Sequence, residues 1–275
     1  MQTSQRHRMR PRAIWMSIVV TLALIALFLL NTMRASDNSM EAGYEMIDKQ
    51  EPFIVQFPLR GEWHAPNTPG SKIPSHGSNL LGTRYAFDFI QVDWDKPGWP
   101  AYRGGLLKYL ISGIPLEDYY CWGKKVHAPH DGTVVRVEDG LPERQRTKLF
   151  TDFSGARKAA VEFDPVTDDA RSVAGNFVII ELANDVYAAL CHLQTDSITV
   201  KVGQHVTAGD VIGNVGHSGN SFAPHLHFQL MNSMGIATAQ GIPCSFERYE
   251  TFRNDTWVEI TNGIPTSTER IRHAG

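Results

Sequence analysis

The stretch Ser221-Phe222-Ala223-Pro224-His225-Leu226-His227-Phe228-Gln229-Leu230 decides the reading of this chain. It sets two histidines two residues apart inside an apolar run. Successive side chains on a β-strand face opposite ways, so His225 and His227 would share one face while Leu226 and Phe228 point into a core. Two imidazoles side by side on a stiff element suit a metal ion, or a metal ion and a reacting group. The plainer alternative is a surface strand carrying two unconnected histidines.

The flanking sequence reads as β-structure. Gly132 to Val137 is a turn followed by alternation. Asn176 to Leu182 and Val186 to Leu193 form a hairpin candidate around Ala183-Asn184-Asp185. Ile198 to Gly203 and Asp210 to Gly216 continue the pattern, and no amphipathic helix is expected in residues 120–235. The fold class expected is mainly β: an antiparallel sheet core with long loop insertions near 91–120 and 139–174. The first insertion carries Trp94, Trp99, Tyr102, Tyr109, Tyr119 and Tyr120. These aromatics either line a binding groove or cover the edge of the core.

The composition is that of a globular protein, with 275 residues, 42% hydrophobic and 20% charged. A formal net charge of -3 argues against a nucleic-acid partner, which calls for a basic excess. Cys121, Cys191 and Cys244 are odd in number and form no Cys-x-x-Cys pair, so they make neither a zinc knuckle nor a disulfide framework. One bridge is allowed.

At the N-terminus, Arg6, His7, Arg8, Arg10 and Arg12 precede an apolar run, Ala13 to Leu30, whose only polar residues are Ser17 and Thr21. Eighteen residues at ~1.5 Å rise span roughly 27 Å, near the ~30 Å hydrocarbon core of a bilayer. Residues 13–30 are therefore expected to form a transmembrane signal anchor. A basic segment 1–12 would lie in the cytoplasm and the rest of the chain on the extracytoplasmic side of the cell membrane. A cleaved secretory signal is the alternative, with Met33 and Ala35 a poor small-x-small site. A linker over 31–50, a main domain over 51–250 and a C-terminal tail over 251–275 complete the expected organisation.

Several segments, in order, resemble one family. Val126-His127-Ala128-Pro129-His130-Asp131-Gly132-Thr133-Val134, Tyr187-Ala188-Ala189-Leu190-Cys191-His192-Leu193, and the run Val202 to Gly213 each match a family segment. Gly216-His217-Ser218-Gly219 followed by Pro224-His225-Leu226-His227-Phe228 matches its most diagnostic signature. The resemblance, spanning about His76 to Met231, is to the lysostaphin-like (LytM-type) zinc endopeptidases that cut peptide cross-links in bacterial cell walls, of the duplicated hybrid motif fold. It implies one Zn2+ per chain, held by a histidine, an aspartate and the second histidine of the His-x-His pair. His227 takes the last role and Asp88, in Arg84-Tyr85-Ala86-Phe87-Asp88-Phe89-Ile90, the second. A carboxylate in so apolar a setting needs a partner, and a salt bridge to Arg84 is the competing account.

The sequence departs from the family at the first ligand. Four residues before Asp88 stands Arg84, and a guanidinium cannot ligate zinc. The nearest upstream histidine is His76, twelve residues away, preferred here over His64. The resemblance assigns His192 and His225 as the two active-site histidines that do not bind metal. Strand alternation sets His192 on the face opposite Cys191, leaving Cys191 a core thiol. His127, His130 and His205 are expected on loops or strand edges, and His217 is left without a role, in a glycine loop next to the His-x-His strand where the border of the cleft is an alternative.

These features imply a zinc-dependent endopeptidase acting on peptidoglycan peptide, open to protein regulators. The alternatives are a non-catalytic relative that binds wall or activates another hydrolase, and a lipoyl-carrier-like domain. The last lacks the modifiable lysine tripeptide it would need.

Overall fold

The computed structural model describes residues 44, 47–148, 152, 163–164, 167, 169–183 and 185–275. The anchor expected over 13–30, the basic segment before it, most of the linker and much of the 139–174 insertion lie outside the described residues. Among the described residues no helix is long and apolar enough to cross a membrane. Met1–Lys49 and Gln50–Gly275 are separate units. The strands, the core and the cleft all belong to the second.

Its strands run in chain order β1 (Phe53–Val55), β2 (Glu62–Asn67), β3 (Phe87–Ile90), β4 (Ile114–Pro115), β5 (Lys125–His127), β6 (Gly132–Glu138), β7 (Arg146–Thr147) and β8 (Asn176–Glu181). They continue with β9 (Tyr187–Leu193), β10 (His205–Val206), β11 (Val211–Asn214), β12 (Leu226–Met231), β13 (Gly241–Ile242), β14 (Cys244–Arg253), β15 (Thr256–Gly263) and β16 (Ile271–His273). The main sheet has the order β1-β14-β16-β2-β3-β12-β9-β8-β6-β10, with β13 on β12 and β15 on β14. The expected mainly-β architecture holds, with one exception to its antiparallel rule: β1 lies parallel to β14.

Alternation sorts the central strands onto two faces. Phe87, Phe89, Leu190, Leu226, Phe228 and Leu230 enter the large core, with Phe57 and Phe246. Ring centroids there lie 5.1 Å apart for Phe57 with Phe89 and for Phe87 with Phe246. Each such buried ring contributes on the order of 1.5–3 kcal/mol. The opposite face carries Asp88, His227 and Gln229. Beside them Phe177, Ile179, Ala189, Cys191 and Met231 form a second apolar cluster. The polar groups of interest therefore sit behind the core, on the less apolar side of the sheet.

Three expectations need correction. Residues 251–275 are not a tail: β15 pairs with β14 along its length, and β16 fills the gap between β14 and β2 with a fully buried Ile271. The β14–β15 hairpin turns at Asn254-Asp255, both at positive φ, which is the type I′ geometry these residue types favour. Ile198 to Gly203 forms no strand, because the chain turns at Lys201–Gln204. The two insertions are not bare loops. The first holds a short helix, α1 (Leu106–Ser112), and β4 pairs with β7, joining one insertion to the other. Tyr119 Oη and Thr147 Oγ1 lie 2.8 Å apart across that junction. The insertion's aromatics pack on one another, Trp94 on Trp99 and Tyr102 on Tyr109 and Tyr119. They line no part of the site cleft.

Truncating Ile271 to Ala should cost about 2–5 kcal/mol, as for other buried Ile→Ala changes. Equilibrium denaturation reads this directly, and a change near zero would mean the C-terminal strand is dispensable.

Candidate metal centre

Three adjacent strands place side chains in one row. In the register of β3, β12 and β9, His227 lies opposite Asp88 on one side and Cys191 on the other. Directly paired residues share a face. His225, two residues before His227, keeps that face at the head of β12. His76 arrives from the β2–β3 loop, which closes on itself: Ser75 N–H donates to the Arg84 carbonyl at 2.9 Å and Ser75 Oγ to the Thr83 carbonyl at 3.1 Å. That closure brings His76 back over Asp88 despite the length of chain between them.

Asp88 is the hub. Its Oδ2 lies 3.0 Å from His76 Nε2 and accepts from Asn67 Nδ2 at 2.7 Å. Its Oδ1 lies 2.9 Å from His227 Nδ1 and 3.5 Å from His225 Nε2. Ligand atoms of His76, Asp88 and His227 all lie within 4.8 Å of one another, as do those of His192, His225 and His227. The His76 Nε2 is buried and, although near Asp88, has no hydrogen-bond alignment with any acceptor. With His227 Nδ1, this nitrogen and carboxylate oxygen could hold one metal ion. These residues line a cleft of about 470 Å³, with Phe222, Leu80 and Ile236 as its apolar walls and Lys72 also lining it.

The partners on the far side of each ring fix the tautomers. Ser75 Oγ gives its proton to Thr83, so it accepts from His76 Nδ1–H at 2.9 Å and leaves the Nε2 lone pair free. Gln229 Oε1 accepts from His227 Nε2–H at 2.8 Å while Gln229 Nε2 donates to the Leu81 carbonyl, and His227 Nδ1 meets Asp88 Oδ1 on the other side. His192 Nδ1–H donates to the Ser218 carbonyl at 2.9 Å and His225 Nδ1–H to the Ala223 carbonyl at 2.8 Å. His76, His192 and His225 thus each present an unprotonated nitrogen, while both nitrogens of His227 face acceptors.

Burial pushes the Asp88 carboxyl up, but the nearby His76, His225 and His227 imidazoles together hold it well below the usual carboxylate range. Burial, then repulsion from His225 and His227, drives His192 well down, and burial lowers His225. Burial opposes charge on His227 too, yet its contact with Asp88 raises it overall. The result is an anion set among imidazoles, with His192 and His225 held neutral.

The cluster contains the five residues expected from sequence: His76, Asp88, His192, His225 and His227. His64 is elsewhere, packed against Trp94 and Trp99. Arg84 is buried and donates to Asn79 Oδ1 and Tyr85 Oη, which answers the salt-bridge alternative. Cys191 is a buried thiol as expected, but in the second apolar cluster and not the main core, and it also lines the cleft beside His227. His192 reaches the same cleft because its φ of 59° breaks alternation, and Leu193 then resumes in the core out of phase. His217 does not border the cleft; it is buried behind it. Asn67, Ser75 and Gln229 also belong to the site; Ser75 and Gln229 stand one and two residues from a ligand in the sequence, and Asn67 carries no such signal.

Two glycines permit this packing. Gly82, at φ 72°, abuts Gln229, and a Cβ there would meet Gln229 Nε2 at 2.8 Å. Gly219, at φ 68°, lets the 216–219 loop lie against the Gly175 backbone, where a Cβ would meet nitrogen at 2.3 Å. That loop supplies the Ser218 carbonyl that holds His192.

Residues 156–239 match the model of Peptidase family M23. The match takes in His192, His225 and His227 and begins downstream of His76 and Asp88. Peptidoglycan DD-endopeptidase ShyA of Vibrio cholerae is 33% identical over 104 residues, 38% of this chain and 20% of ShyA. Glycyl-glycine endopeptidase ALE-1 of Staphylococcus capitis is 40% identical over 86 residues, 30% of this chain and 24% of ALE-1. Lysostaphin of Staphylococcus simulans is 45% identical over 60 residues, 22% of this chain and 12% of lysostaphin. The chain thus spans less than a quarter of the length of each of these curated relatives.

All three cysteines are free and buried. Burial pushes the thiols of Cys121 and Cys191 up to about 12 and raises that of Cys244. Since the thiolate is the reactive form, a thiol reagent at neutral pH should label none of them in the folded protein and all three after denaturation. Fast labelling of Cys191 in the native state would contradict the packing described.

Proposed function

We propose that this chain, which belongs to peptidase family M23, is a zinc-dependent endopeptidase that hydrolyses peptide bonds of bacterial peptidoglycan. One observation carries the reading: His76 Nε2 and Asp88 Oδ2, 3.0 Å apart and unbonded, converge where His227 Nδ1 also points. The substrate class is drawn from relatives named as peptidoglycan and glycyl-glycine endopeptidases.

His76 Nε2, one Asp88 oxygen and His227 Nδ1 would hold the ion. Two imidazoles and a carboxylate are a donor set that suits zinc and leaves a fourth position open. When bound, such an ion supplies Lewis acidity, acidifying water and polarising a peptide carbonyl. The protein's own part is proton handling. His192 and His225 both keep Nδ1 protonated, so each works through Nε2 on the cleft side. One Nε2 takes the proton of the attacking water, and the imidazolium so formed returns it to the leaving amine. Either ring, neutral with its Nε2 lone pair free, is chemically able to serve as that base. Burial keeps both rings neutral before reaction, as an accepting base requires.

The presence of all five side chains in one cleft favours catalysis over a role limited to wall binding or activation of another hydrolase. The uncharged run 13–30 behind a basic N-terminus supports a single-pass anchor with this unit on the extracytoplasmic side.

The test is incubation of the full chain, purified in detergent, with isolated sacculi, followed by mass spectrometry of released fragments. Peptide cleavage should appear, vanish with a chelator and return with added zinc. His227→Ala should lose both zinc and cleavage. Intact sacculi under all conditions, or undiminished cleavage by that variant, would refute the proposal.

A further inference from the structure

The insertion at 139–174 sends two residues, Glu143 and Arg144, into the back of the site. His217, which has no part in the chemistry above, is only 1% exposed and meets Arg144 there: Arg144 Nη2 lies 3.0 Å from His217 Nε2. A guanidinium can only donate, so His217 Nε2 must accept and the ring proton must sit on Nδ1. His217 Nδ1–H then donates to Ser221 Oγ at 3.0 Å. The Ser221 hydroxyl proton is already committed to the Ala223 carbonyl at 2.7 Å. Ser221 Oγ is therefore an acceptor toward His225 Nδ1, 3.2 Å away. With the Ala223 carbonyl at 2.8 Å, it gives His225 Nδ1–H two acceptors and leaves Nε2 on the Asp88 side.

Every proton in this relay has one direction, set at His217 by Arg144 and at Ser221 and His225 by the Ala223 carbonyl. The guanidinium is itself tied down, donating to the Ser221 carbonyl and lying 3.7 Å from an oxygen of Asp152. Glu143 clamps the other end of the segment by accepting from the His217 backbone N–H, with Trp122 Nε1 and Thr195 N–H on the same carboxylate. Burial and the neighbouring Arg144 push His217 down to about 3, so it stays neutral at any working pH and the relay does not switch.

We propose that Arg144 is a positioning residue for His225: by donating to the Ser221 carbonyl and fixing the tautomer of His217, whose Nδ1–H holds Ser221 Oγ, it keeps that oxygen in place as the second acceptor that aims His225 Nε2 at the cleft. The inference builds on the role given to His225 above, but its first test does not depend on activity. Nitrogen-15 NMR of the imidazoles in the metal-loaded full chain should show both His217 and His225 protonated at Nδ1. A His217 proton on Nε2 in the wild-type protein would overturn the proposal whatever the enzyme cleaves.

The second test uses Arg144→Met and Arg144→Lys. Loss of the donor in Arg144→Met should release His217 from a single tautomer and lower kcat roughly 10- to 100-fold, the usual cost of an outer-shell partner, with KM and zinc content unchanged. Arg144→Lys, which still donates, should restore most of the loss. Wild-type kcat in Arg144→Met, or a loss lying wholly in KM or in bound zinc, would overturn it. Should Arg144→Met not fold, the wild-type tautomer still decides. Absence of hydrolysis by the wild type, with the tautomers as stated, would sink the proposed function and leave this arrangement standing.

Discussion

Asp88 is an ionised carboxylate set into the middle of a β-sheet and held there by imidazole nitrogens. Burying such a charge without compensation costs many kcal/mol. The surrounding structure reads as compensation: Asn67 donates from β2 and His227 meets it from β12, with His225 at the head of that strand and His76, folded back from a loop, standing 3.5 and 3.0 Å away. The rest of the fold keeps those groups from drifting. Phenylalanines on the other face of β3 and β12 lock the strands that carry the acid and its partners.

Each imidazole is also held from behind. Ser75, Gln229, the Ser218 carbonyl and the Ala223 carbonyl take one ring nitrogen apiece, leaving the other for chemistry. This division of labour is what turns a group of histidines into a site. Protonation on the wrong nitrogen would leave the side chain where it is and abolish its use. The insertions, which join each other through β4 and β7, extend the same support outward to His217 and Ser221.

Much of this is legible from residue order. Alternation across His225-Leu226-His227-Phe228 assigns the correct faces, because β12 is a regular strand with core on one side. The same logic fails at His192, where a single positive φ reverses the phase, and a backbone break of that kind leaves no mark in a run such as Leu190-Cys191-His192-Leu193. Spacing nominates His76 without placing it, since its reach depends on loop closure by Ser75 and Thr83. Gln229 and Asn67 look like ordinary polar strand residues; only the direction of their bonds gives them meaning. The C-terminal hairpin leaves a mark too, since Asn254-Asp255 between two runs rich in aromatic and β-branched residues is a turn signal, one that the expectation of a tail ignores.

The most direct measurement of the shared-ion claim is zinc content of the full chain after exhaustive dialysis, compared between His76→Ala and His64→Ala. About one zinc per chain is expected in the wild type and in His64→Ala, and its loss in His76→Ala. Equal retention by both variants would mean that the side chain at position 76 is no ligand, and that Asp88 and His227 are organised for something else.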